Sequence, residues 1–213
     1  MRNKKQPEVL EVLYDFINEY MPVIAGLSDN TIRLYKATFR LLLRYLQHEK
    51  DISCEDVRFR DLDITTLVSF LNWLESAQSC SIATRNVRLA SLSSFAAYAQ
   101  NRNFDAALIF LASIRKIQAK KALTCPRTFF SRDEVSVLLR IPNTSTKTGR
   151  RDAVLLSLMY ASGARAQEIC DLRIRDVLFQ DETTTLTITG KGMNPYCSSM
   201  RRDAETVFAL AQN

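Results

Sequence analysis

Histidine occurs once in the 213 residues, as His48, and no two cysteines form a C-x-x-C pair. Nothing here spells a zinc site. The five cysteines, Cys54, Cys80, Cys125, Cys170 and Cys197, are odd in number and far apart. That pattern suggests no disulfide framework, and the thiols read as the reduced residues of a cytoplasmic protein. No apolar run is long enough to span a bilayer, and the opening M-R-N-K-K-Q-P-E lacks the apolar core of a secretory signal. A soluble protein with no membrane partner is expected. Acidic side chains are the minority charge, 23 against 29 basic, for a formal net charge of +6 and a pI near 9.2. The surplus favours an acidic partner, nucleic acid first. An apolar share of 46% and a charged share of 24% exclude a disordered composition and leave room for one large domain or two small ones.

What the chain does contain is helical periodicity. Residues 8–20 place Val9, Leu10, Leu13, Phe16, Ile17 and Tyr20 on one side, with Pro7 at the start. Gly26 and Ser28-Asp29 break and recap the chain. Residues 31–47 follow as a helix burying Ile32, Tyr35, Phe39, Leu42, Leu43 and Leu46. Its other face carries Arg33, Lys36, Arg40 and Arg44 in a line. Such a stripe is either a solvated face or the bed for an anion. Asp63 caps a helix to Ser76, and Ser81 caps another to about Gln100. The latter opens with Arg85, Asn86 and Arg88, at the end of a helix that approaches a phosphate or a base edge. A last helix over residues 106–116 completes an all-helical unit, and His48 stands near a helix C-terminus in a capping role.

Residues 117–130 lose apolar periodicity and hold Lys120, Lys121 and Arg127 beside Pro126, which reads as a basic linker. The domain bounds expected are 1–117, a linker over 118–130, and 131–213. Ser131 and Glu134 stand at capping-box spacing for a short helix, and 143–149 is a polar loop. Residues 153–161 are apolar nearly all round, as in a helix at the centre of a domain. Ser162-Gly163 ends that helix, and Arg165 opens a second one with Ile169 and Leu172 inward. An arginine held at a helix mouth is a place to grip a phosphate. The plainer alternative is an ordinary amphipathic helix in which Glu168 pairs with Arg165. Beyond Asp176 the period changes: Thr183–Thr189 is a β-branched strand, Gly190-Lys191-Gly192 a turn, and 195–199 an imperfect return strand. Residues 203–212 read as a further amphipathic helix.

The stretch from Tyr160 to Asp176 resembles the first catalytic box of the tyrosine recombinases, the phage-integrase family that includes the Xer proteins. The family pattern Y-x-[TS]-G-x-R-x-x-E-[IL]-x-x-L-x-x-x-D is met by Tyr160, Ser162, Gly163, Arg165, Glu168, Ile169, Leu172 and Asp176. Thr31, Ile32 and Tyr35, and the run from Thr84 to Phe95, are similar to motifs of the family's core-binding domain. The resemblance implies a mainly α chain. It pairs an N-terminal helical, SAM-like core-binding domain with the front part of a mixed α/β catalytic domain carrying a small antiparallel hairpin.

The same resemblance implies site-specific DNA recombination and integration through a phosphotyrosine, with no metal or cofactor. Arg165 would clamp phosphate, Lys191 would be the general acid and Glu168 would support Arg165. Double-stranded DNA is the implied partner, met by Arg33, Lys36, Arg40, Arg44, Arg85, Arg88, Lys120 and Lys121; intact recombinase protomers are a second. The family's later H-x-x-R and nucleophilic tyrosine have no counterpart, since no histidine follows Lys191 and Tyr196 lies within the hairpin. Tyr196 and Ser199 also stand where members usually have a basic residue and proline. The expectation is a C-terminally truncated relative, inactive alone. Two readings stand beside it: a helical DNA-binding regulator or inhibitor unrelated to recombination, and a helical interaction protein with a basic surface.

Overall fold

A computed structural model describes residues 9–102, 104–122, 128–179, 183–190 and 195–201. The chain divides into two compact units, Met1–Cys125 and Pro126–Asn213. The predicted helix at 203–212 lies outside the described residues.

The first unit is helical. Helix α1 (Val9–Asp15) runs on as a π-helical segment, Phe16–Ile24, longer than the periodicity over 8–20 implies. Pro22 lies inside that segment, with no N–H to donate and a ring that clashes with the carbonyl four residues back. Widening the ladder to the Ala25 N–H···O=C Tyr20 bond, 2.8 Å, accommodates it. Helix α2 (Asp29–Lys50) starts where the Ser28 hydroxyl accepts from the Thr31 N–H, 3.5 Å. Helix α3 (Ile64–Ser76) begins at Asp63, whose carboxylate accepts from Thr66 N–H at 2.7 Å. Helix α4 (Ile82–Arg102) begins at Ser81, which accepts from Thr84 N–H at 3.2 Å. Helix α5 (Phe104–Lys116) closes the unit.

An aromatic hub centres the core. Phe16 is fully buried and meets Tyr20, Tyr35, Phe39, Phe95 and Tyr98 at centroid distances of 5.1–6.3 Å. Around it pack Leu46, Leu67, Phe70, Leu71, Leu74, Leu92 and Phe110, all buried.

The second unit opens with α6 (Arg132–Arg140), closed by the expected reciprocal cap between Ser131 and Glu134. Helix α7 (Lys147–Ser162) begins earlier than its apolar run, because Thr146 caps it through Gly149 N–H at 3.0 Å. A Cβ on Gly149 would strike the Asn143 carbonyl, so the preceding turn fits only glycine there. Helix α8 (Ala166–Cys170) is a single turn.

Three antiparallel strands follow in the order β1 (Val177–Phe179), β2 (Thr183–Thr189), β3 (Pro195–Arg201). Strands β2 and β3 answer the hairpin expected from the sequence; β1 was not foreseen. Thr184, Leu186 and Ile188 alternate inward along β2, and Leu186 and Ile188 cluster with Ala164, Ile169, Leu155, Leu158 and Met159.

The expectation of a central apolar helix is corrected. Ala153 of α7 is buried, but Leu156 is 39% exposed and Tyr160 58%. The helix packs on α6, α8 and β3, and part of its apolar sequence is left open to solvent.

Candidate nucleic-acid interface and arginine box

On α2 the four cations Arg33, Lys36, Arg40 and Arg44 all face solvent. Arg33 bonds Asn30 Oδ1 at 2.7 Å, and no carboxylate among the described residues pairs with Lys36, Arg40 or Arg44. Among the described residues the line is therefore uncompensated. Lys36 and Arg40 border a shallow apolar groove formed with Leu10, Leu13, Ile17, Phe39 and Leu43.

The first turns of α4 depart from expectation. Arg85 is turned inward, 4% exposed, with Nε 3.1 Å from Glu75 Oε1 but off the line of a hydrogen bond. Attraction to Glu75 and the apolar packing of its stem hold it there, away from solvent. Arg88 is half-buried, and its Nε also has no hydrogen-bond partner. Lys120 donates to the same Glu75 Oε1 at 2.6 Å, and its backbone is gripped by Asn86 at both groups: N–H to Oδ1 at 3.0 Å, C=O from Nδ2 at 2.7 Å. So the first residues of the expected linker lie along the start of α4. Lys121 is exposed. The Glu75–Lys120 and Asn86–Lys120 pairings escaped the sequence reading because the partners lie 45 and 34 residues apart.

Between α7 and α8 the sequence does what its residues dictate. Gly163 takes φ +66° and returns its N–H to Met159 O, and Ser162 Oγ accepts from Ala164 N–H at 3.2 Å. Arg165 is left at the mouth of α8, its backbone N–H donating to Glu168 Oε2 at 2.8 Å and its Nη1 to Oε1 at 2.7 Å. The two side chains differ sharply in exposure: 75% for Arg165, 8% for Glu168.

A third donor reaches the same carboxylate. Tyr196, on β3 opposite Ile188, donates its hydroxyl to Glu168 Oε2 at 3.0 Å. The Arg165 backbone bond is the main reason the Glu168 carboxyl is held below its ordinary range, with the Arg165 side chain and Tyr196 adding to it. Arg165 is correspondingly held more firmly protonated by Glu168. Burial first, then its bond to Glu168, pushes the Tyr196 hydroxyl up. Lys191 and the turn around it lie outside the described residues. Tyr196 was noted in the sequence for its position in the hairpin, and a tyrosine on a return strand carries no signal of a carboxylate 28 residues back.

Two compact units make up the chain, one helical with a cationic face on α2, the other presenting an arginine clamped at a helix mouth. Residues 16–103 match the model of the phage integrase N-terminal SAM-like domain, and residues 128–210 that of the phage integrase family. The chain belongs to the tyrosine recombinase, or phage integrase, family.

Among its relatives is the integrase/recombinase y4rC of Sinorhizobium fredii, 33% identical over 184 residues, 85% of this chain and 54% of that one. The tyrosine recombinase XerD of Listeria innocua is 28% identical over 198 residues, 93% of this chain and 63% of that one. Thus the chain spans rather more than half the length of these relatives. In fold it is similar to the XerH site-specific recombinase bound to difH substrate, with a TM-score of 0.64 at 19% identity, over 98% of this chain and 60% of that one. No helix among the described residues is long and apolar enough to cross a membrane.

Proposed function

We propose that this chain binds duplex DNA as a member of the site-specific recombination machinery and, by itself, forms no covalent bond to it. The observation that carries the reading is Arg165: a guanidinium fixed at its root by Glu168 yet 75% exposed, the form a phosphate clamp needs. The exposed cations of α2 supply a second, sequence-independent grip on phosphates. The fold relative XerH has been captured with its difH DNA substrate before and after cleavage, and duplex DNA is the ligand class proposed here. Lys191 is proposed as general acid and Lys121 as a further phosphate contact; intact recombinase protomers are proposed partners.

A pentavalent phosphorane needs cations on several sides, and losing one donor of this kind costs about 3 kcal/mol of transition-state stabilisation. The 213 residues hold no histidine after His48, and the hydroxyl of Tyr196 is bonded to Glu168. The test is a nicked suicide DNA substrate, read as a protein–DNA adduct on a denaturing gel. No adduct is expected. An adduct that disappears on Tyr196→Phe would make Tyr196 the nucleophile and the chain an enzyme.

A further inference from the structure

Glu168 sits on the single turn of α8, and its side chain has three rotatable bonds. Yet both its oxygens are engaged, Oε1 by Arg165 Nη1 and Oε2 by the Arg165 N–H and the Tyr196 hydroxyl. The two bonds from Arg165 come from the residue that Glu168 itself positions, so they cannot serve as an outside reference. Tyr196 can. Its backbone is paired with Ile188, which is fully buried in the core of this unit, and a tyrosine ring turns about only two bonds.

We infer that Tyr196 is a positioning residue for Arg165: its hydroxyl fixes the Glu168 carboxylate, which in turn sets the direction in which the guanidinium meets a phosphate. The inference rests on the reading of Arg165 as a phosphate clamp. Two effects follow from the geometry. The sheet, through Tyr196, becomes the frame against which the clamp is aimed, and the remaining guanidinium N–H groups stay free for a planar, two-point grip. The hydroxyl also takes up part of the carboxylate's charge, so Glu168 competes less with an incoming phosphate for Arg165. Phenylalanine at this position keeps the ring and loses both.

The experiment is a double-mutant cycle on the full chain, binding a short fluorescein-labelled duplex DNA over a range of salt. Arg165→Ala is expected to weaken binding and lower the salt slope by about 0.9, the value of one phosphate contact. Tyr196→Phe is expected to weaken binding by about two- to threefold, and to change nothing once Arg165 is alanine. Should Tyr196→Phe lose its fold by circular dichroism, the cycle is run with Tyr196→Gln, whose shorter side chain falls short of Glu168 and should give a loss of similar size, still dependent on Arg165. If Arg165→Ala weakens binding but the change at Tyr196 has no effect, or an equal effect in both backgrounds, the inference is overturned and the clamp stands. If Arg165→Ala leaves binding and slope untouched, the clamp itself falls, and the inference with it.

Discussion

Single residues at helix ends do much of the shaping. Asp63 shows it: its carboxylate accepts from Thr66 N–H, and that bond above all holds the carboxyl below its ordinary range. A depressed folded-state value means that Asp63 stabilises the first unit above the ordinary carboxylate range. The contribution fades as the pH falls through the lower folded value. Asp63→Ala is expected to cost about 1 kcal/mol at neutral pH. Asp63→Asn, which keeps an oxygen for the cap, is expected to cost far less and to flatten the acid limb of stability. Chemical denaturation of the three proteins between pH 7 and pH 3 measures both. Equal loss from alanine and asparagine at neutral pH would mean that the cap oxygen is not what matters.

Among elements, α2 divides cleanly into a core face and a cationic face, and only the former is explained by folding. Phe39, Leu42 and Leu46 are buried, while Lys36, Arg40 and Arg44 line solvent with no carboxylate paired to them among the described residues. Alanine at 36 and 40 leaves the helix intact, since alanine is the better helix former. If each makes one phosphate contact, the double substitution lowers the salt slope of DNA binding by about 1.8. An unchanged slope and affinity would reduce the stripe to a solvated face.

Elements were the part of the fold most legible in the sequence. Ser28, Asp63, Ser81 and Ser131 each announced a helix, because a cap is a local event written in a few adjacent residues. Where the reading failed, the cause was packing or chain geometry. The π-helical segment needed Pro22 to be weighed against its own turn, and α7 began at Thr146 because a polar cap outran the apolar run. The inward fold of Arg85 depended on a carboxylate ten residues back on another helix. In the arginine box, Gly163 and Arg165 were readable from spacing, whereas Tyr196 reaches Glu168 from a strand 28 residues further on and left no pattern.

For the molecule as a whole, the division into units bears on how the chain comes apart. Lys120 is fastened to Glu75 and Asn86, so the first cuts are expected beyond it. Brief trypsin treatment is expected to cut first within 121–130, after Lys121 or Arg127, and to release two fragments. First cuts inside residues 31–100, with that stretch whole, would argue against two separable domains.

The first unit also owns the chain's single tryptophan. Trp73 lies half-buried on α3, with Tyr45 and Phe70 at centroid distances of 5.6 and 6.2 Å. Excited at the red edge of its absorption, the protein therefore emits from one half only, and the colour of that emission follows the wetting of α3. The second unit, with its arginine box and sheet, is dark at that wavelength. Fluorescence and circular dichroism applied to one sample thus watch different bodies: the first sees the helical unit alone, the second sees both.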